Sequence, residues 1–288
     1  VKILSIQSWV ASGHVGNAAA LFPLQRLGAV VLGVHTVQLS NHPGHGRSTG
    51  RAASAPDIAA LIDGLGSHGA LRDCDAVLTG YLGDAALGAI VLDAVVRVRS
   101  QNPAALWCCD PVMGDDGRIY VQPAIPAFFA GEAMSRADIL TPNQFELGLL
   151  SGKPCDSAAD CTNAAVDMRA RLRASGPRIV LVTSLRADQT PAGALDMLLC
   201  CDAGNYRLRS PLLPRKFSGA GDTLAALFLF HLLSTRDPVA AACSAASSMA
   251  GLLLRTLQAG AAELLTVEAQ EEFIHPSLTV PAVQIRAA

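Results

Sequence analysis

Short runs of apolar, β-favouring residues recur between helix-length segments, and this alternation constrains the fold more than any other feature of the chain. The runs are Ile3-Leu4-Ser5-Ile6, Ala29-Val30-Val31-Leu32, Ala76-Val77-Leu78-Thr79, Ala105-Leu106-Trp107-Cys108-Cys109, Ile139-Leu140 and Ile179-Val180-Leu181-Val182. Parallel strands buried on both faces read as near-continuous apolar runs, and a helix usually makes the crossover between two of them. Helical stretches at Ala18 to Leu27, Ala86 to Arg99 and Ala158 to Arg173 supply such crossovers. The expectation is an α/β fold with a mostly parallel central sheet flanked by helices on both faces. Thr223 to Leu233 and Pro238 to Leu257 are rich in Ala and Leu and should pack as helices closing one face. Two segments break the pattern, His35 to Ser54 and Gly114 to Pro126, and are expected to leave the main sheet as loops or short strands forming a small flap or lid.

Composition narrows the class of partner. Of 288 residues, 51% are hydrophobic and 16% charged, which supplies a core and excludes disorder from low hydrophobicity. No internal repeat or low-complexity linker divides the chain, so one domain over residues 1–288 is expected. A formal net charge of -2, with scattered basic residues, leaves no footprint for nucleic acid or an anionic membrane. The expected partner is a small molecule. Val1-Lys2-Ile3-Leu4 opens a strand instead of a signal peptide, and no apolar run is read as reaching the roughly 18 residues of a membrane span. A soluble, cytoplasmic protein is expected. The 8 cysteines show no CxxC spacing; Cys108-Cys109 and Cys200-Cys201 should send their side chains to opposite faces of strands, as buried thiols of a reducing compartment.

The stretch Phe217-Ser218-Gly219-Ala220-Gly221-Asp222-Thr223 places a tight glycine turn directly before a good helix. Free backbone N–H groups at a helix N-terminus, approached closely because glycine has no Cβ, form an anion hole for a phosphoryl group. Beside such a hole, Asp222 can accept the proton of an attacking alcohol; taken alone, it serves equally well as a helix cap. No Gly-Lys-Ser/Thr follows at P-loop spacing, and no GxGxxG opens a helix after the first strand. Asp110 follows a buried strand and should emerge at the carboxyl edge of the sheet, where open α/β sheets bind ligands. Asn143 and Glu146, one helical turn apart after Ile139-Leu140, are read as a cap and a site-facing carboxylate; for each acid, a helix-end or turn role is the alternative. Magnesium on ATP keeps several waters, so Asp110 and Glu146 would hold it largely through water.

In order along the chain, these segments resemble the pyridoxal kinases of the ribokinase superfamily. The likeness rests on Gln7-Ser8, Gly13-His14-Val15-Gly16-Asn17, Ser40-Asn41-His42, Thr79-Gly80-Tyr81, Cys109-Asp110-Pro111-Val112-Met113-Gly114-Asp115, Thr141-Pro142-Asn143-Gln144-Phe145-Glu146 and Gly219-Ala220-Gly221-Asp222. The resemblance implies a ribokinase-like three-layer sandwich that phosphorylates the 5′-hydroxymethyl of pyridoxal, pyridoxamine or pyridoxine with ATP. It further implies Mg2+, a monovalent cation such as K+ as a helper, and a homodimer. Ser8 would bond the pyridine ring, Val10 and Tyr81 would line its pocket, and His42 would sit on the flap. Asp222 would be the base, with Gly219, Ala220 and Gly221 as the anion hole. Asp110, Thr141, Asn143, Glu146 and Thr183 would lie near ATP or its magnesium, and Ser210, Pro211, Leu212 and Leu213 would cover the adenine. One position departs from the pattern: the family has Thr after Ser-Asn-His, and here Pro43 removes both a hydroxyl and a backbone donor. His42 or His45 would then have to hold the flap. Arg47, Arg215 and Lys216 stand where a cation could neutralise phosphate charge, with solvated surface residues as the alternative. A hydroxymethylpyrimidine kinase shares the anion hole without Gln7-Ser8 or Ser40-Asn41-His42, and a vitamer-binding protein of low turnover is the remaining reading.

Overall fold

The structure, a computed structural model, describes residues 1–285; the last three residues of the expected single domain lie outside the described residues. Strands are β1 (Lys2–Val10), β2 (Val30–Leu39), β3 (Gly50–Ala52), β4 (Ala76–Thr79), β5 (Leu106–Cys109), β6 (Gly114–Asp115), β7 (Arg118–Ile119), β8 (Ile139–Leu140), β9 (Ile179–Leu185), β10 (Ala194–Cys201), β11 (Gly204–Pro211) and β12 (Ala282–Ile285). Helices are α1 (Asn17–Arg26), α2 (Ala55–Ser67), α3 (Leu87–Gln101), α4 (Ala124–Phe128), α5 (Gln144–Ser151), α6 (Ala158–Arg171), α7 (Ala220–Thr235) and α8 (Pro238–Gln258).

Ten strands form one sheet in the order β12-β11-β10-β9-β8-β5-β4-β1-β2-β3. The stretch from β9 to β2 is parallel, while β10 to β12 at one edge and β3 at the other run antiparallel. Alternation along each strand divides the core into two layers. Leu4, Val77, Cys109, Val180 and Cys200 join one cluster with residues of α2 to α6. Their chain neighbours Ile3, Leu78, Cys108, Ile179 and Cys201 join the other with α1, α7 and α8. The paired cysteines therefore split between faces, as a side-chain period of two demands. The result is the expected three-layer sandwich.

Two boundaries differ from the sequence reading. β2 runs on through His35 to Leu39, and Gly50–Ala52 returns beside it as β3, so both flanks of the first excursion stay on the main sheet. Val37 and Leu39 prolong the apolar alternation past His35, and the breakers take effect only from Ser40. The second excursion does leave the sheet, as the β6–β7 hairpin. Among the described residues α8 is long and apolar enough to cross a membrane, contrary to the expectation that no run is. It packs against α7 and buries Ser247, Ser248 and Thr256 on its inner face.

Candidate active site

The carboxyl ends of the parallel strands open into one cavity of about 1890 Å³, roughly twice what a single small ligand requires. Ser8 and Val10 from β1, Tyr81 after β4 and His42 after β2 line one end. Asp110, Thr141, Asn143, Glu146 and Thr183, from the ends of β5, β8 and β9 and the start of α5, line its middle. Ser210 to Leu213 and Gly219 to Asp222 line the same cavity. Every residue singled out from sequence as a site residue therefore faces one cavity.

The part of the cavity at Ser8 is shaped by a break in β1. Its register with β2 shifts between Gln7 and Trp9, so Ser8 sits at an irregularity that re-aims the strand end. Gly16 lies against Ser8 with φ 55°, where a Cβ would come within 2.3 Å of the Ser8 carbonyl oxygen. Only glycine fits there. Beneath them Asn17 is buried: Ser5 Oγ donates to its Oδ1 at 2.6 Å, and its Nδ2 donates to the Val34 carbonyl at 2.9 Å. Gln7 Nε2 donates to Ser5 Oγ at 3.0 Å, so Gln7 braces the strand while Ser8 faces the cavity.

At the start of α7, Gly219 takes a left-handed conformation with φ 83°, and a Cβ there would lie 1.7 Å from the His14 carbonyl oxygen. The turn is thus built from a glycine and the β1–α1 loop together. Helix termini leave the first N–H groups without helical partners, and Ala220 and Gly221 line the cavity beside Asp222. Asp222 Oδ2 accepts from the Gly16 N–H at 2.8 Å. Burial pushes its carboxyl above the usual range, against the bonds from Gly16 and its own N–H.

Asn143 caps α5 as read, and Glu146 completes a capping box with it, but Glu146 does more than cap. Its Oε1 accepts from Met113 N–H at 2.8 Å and Gly114 N–H at 3.4 Å, and its Oε2 from Asn143 N–H at 2.9 Å. Asn143 Nδ2 donates to the Gly114 carbonyl at 2.8 Å. The pair thereby fixes the base of the β6–β7 hairpin. Asp110 accepts from Thr141 Oγ1 at 2.9 Å. Burial pushes Asp110 well above its ordinary value, helped by Glu146 and Asp222, and burial pushes Glu146 up to about 7 despite its backbone bonds. Asp110 thus has Glu146 and Asp222 as acidic neighbours, a local negative charge that a cation would relieve.

Pro43 occupies the first position of a 3₁₀ turn, Pro43–His45, where its missing N–H is not needed. His42 Nδ1 accepts from Gly44 N–H at 3.2 Å and lies 3.4 Å from Ser218 Oγ, just before the anion hole. Lys216 does not reach that hole; its Nζ donates to Asp115 at 2.7 Å and Asp116 at 2.6 Å on the hairpin. Arg215 lies 4.4 Å from the Phe217 ring centroid and bonds the Ala261 carbonyl, while Arg47 is exposed on the flap. Sequence reading missed Trp9, which packs on His35 with ring centroids 4.8 Å apart. It also missed the apolar wall of Met249, Ala250, Leu253 and Leu254 opposite Pro211 and Leu213. The signal for that wall was the run of small and apolar residues in α8, read as packing alone.

Fold and site together define a ribokinase-like α/β protein with an anion hole at a helix start and an acid beside it. A family model described as phosphomethylpyrimidine kinase matches residues 67–266, which excludes Ser8 and His42. Proteins named pyridoxal kinase PdxY match across nearly the whole chain. That of Granulibacter bethesdensis is 54% identical, covering 96% of this chain and 97% of its own. That of Deinococcus radiodurans is 50% identical, covering 96% and 93%. A solved pyridoxal kinase from Leishmania donovani in complex with ADP and pyridoxamine aligns with a TM-score of 0.90 at 30% identity, covering 99% of both chains. The chain belongs to the pyridoxal kinase family.

Proposed function

We propose that this protein transfers the γ-phosphoryl group of ATP to the 5′-hydroxymethyl of pyridoxal and, more broadly, of pyridoxamine and pyridoxine. The observation that carries the reading is Asp222, held beside the glycine turn of α7 in a cavity with room for two ligands. Ser8, Val10, His42 and Tyr81 would hold the vitamer, and the apolar wall around Met249 and Leu213 would take the adenine. Asp222 accepts the hydroxymethyl proton while the N–H groups of Gly219 to Gly221 stabilise the transferring phosphoryl. A carboxyl raised above its ordinary value is a better match to a base working near neutrality.

The acidic neighbourhood in which Glu146 and Asp222 raise Asp110 would suit a divalent cation, here Mg2+ carried with ATP. Asp110 has an oxygen to offer, whereas Glu146 is committed to three backbone N–H groups and would act through water. The metal supplies charge neutralisation of the polyphosphate. Thr141, Asn143 and Thr183 shape this compartment, Ser210 to Leu213 border the base, and K+ joins as the family's helper ion. The same reading takes residues 1–288 as one kinase domain working as a cytoplasmic homodimer with no nucleic-acid or membrane partner. Eight unpaired cysteines favour the reducing compartment.

A panel of three B6 vitamers and hydroxymethylpyrimidine with MgATP tests the substrate. ATP-dependent formation of vitamer 5′-phosphate is expected. Phosphorylation of the pyrimidine alone would move the protein to the pyrimidine kinases, and tight vitamer binding without turnover would make it a binding protein.

A further inference from the structure

The flap that closes the vitamer end has lost the family's threonine hydroxyl, yet it is tied down at two points. On the inner side His42 meets Ser218. On the outer side His45 Nδ1 lies 2.6 Å from Glu263 Oε1, with the two side chains 36% and 29% exposed. His42, Pro43 and Gly44 line the cavity, whereas His45 and Glu263 stand behind it.

Glu263 lies in the loop that leaves α8, and its place there is prepared by a second segment. Gly13, in the β1–α1 loop, has φ 97°, and a Cβ at that position would lie 2.7 to 2.9 Å from the Glu263 carboxylate. The carboxylate occupies the space a side chain would have filled. The loop is joined in turn to the anion-hole segment, since Arg215 donates to the Ala261 carbonyl and packs over Phe217. Residues 261 to 263 therefore connect the flap, the β1–α1 loop and the loop that leads from β11 into α7.

We propose that Glu263 is a positioning residue for the vitamer: through His45 it latches the flap shut over the substrate, taking the part of the missing flap hydroxyl. The claim deepens the functional reading above and rests on it for the identity of the ligand. Glu263 touches no substrate, so its loss should loosen vitamer binding and leave the chemistry and the nucleotide alone.

Glu263→Gln, His45→Gln and the double variant are compared with the wild type in two measurements. In steady-state assays each single variant is expected to raise KM for pyridoxal about two- to fivefold, the scale of a partly exposed ion pair. kcat and KM for MgATP should stay within about twofold, and the double variant should be no worse than either single one. In limited trypsin digestion without ligand, cleavage after Arg47 on the flap should accelerate by a similar factor in all three variants. Additive effects on KM, a rise confined to MgATP, or unchanged cleavage after Arg47 would overturn the latch. If the wild type turned over no vitamer, the functional reading would fall instead, and the digestion, which needs no turnover, would still decide whether Glu263 holds the flap.

Discussion

In the proposed reaction Asp222 has two jobs in one carboxylate, and the geometry lets them be separated. Its Oδ2 accepts from Gly16, a bond that Asn could also accept, so Asp222→Asn should keep the fold while removing the base. kcat is expected to fall by roughly 10²–10⁴, the usual contribution of a general base, with nucleotide binding retained by equilibrium titration. Because Asp222 is raised by burial, the acid limb of kcat should lie above the ordinary carboxylate range, and activity should decline as pH falls through it. Asp110 makes a prediction of opposite sense for stability. A carboxyl raised in the folded state contributes stability fully below its unfolded value and loses that contribution as pH rises through its folded value. Without metal, Asp110→Asn should therefore melt above the wild type, by a margin that grows as pH rises from the ordinary carboxylate range toward neutrality. Added magnesium should narrow the margin. Thermal melts across pH, with and without magnesium, check both.

Elements carry the site by their ends. Gly219 starts α7 in a left-handed conformation against the His14 carbonyl, so Gly219→Ala meets both backbone strain and a collision. It should destabilise by more than about 1 kcal/mol and depress kcat, since the anion hole must shift. The capping box on α5 has a structural share that can be measured by itself: Asn143→Ala removes the acceptor for Glu146 N–H and the donor to Gly114. Loss of stability of about 0.5–2 kcal/mol is expected from denaturant titration. The sequence displayed these caps plainly, because an Asn three residues before a Glu at a helix start is a local pattern. It displayed α1, α3, α6, α7 and α8 within a few residues for the same reason. It left α2 and β11 unremarked and touched β10 only at Cys200-Cys201; the polar residues of β11, Asn205, Arg207, Arg209 and Ser210, give no continuous apolar run to read.

On the scale of the whole molecule, the sheet sorts the side chains of ten strands into two cores, and the thiols report that sorting. Seven of the eight cysteines are buried and only Cys243 is partly accessible. A native sample without reductant should react rapidly with a thiol reagent at about one site, and at all eight once denatured. A larger rapid fraction would mean the cores are looser than the structure has them.

The sequence alone determined the parallel sheet, its helical cover, the glycine turn with Asp222 that opens α7, and the strand ends that carry the candidate site residues. Those follow from periods of two and 3.6 residues and from short motifs, which act between neighbours in the chain. Only the tertiary structure decided that Ser8 sits at a break in β1, that Glu146 is committed to Met113 and Gly114, and that Lys216 pairs with the hairpin instead of the anion hole. It alone joined His45 to Glu263 and Asp222 to Gly16. Each of these contacts joins residues far apart in sequence, where no periodicity carries a signal and only the packing of the whole fold sets the distance.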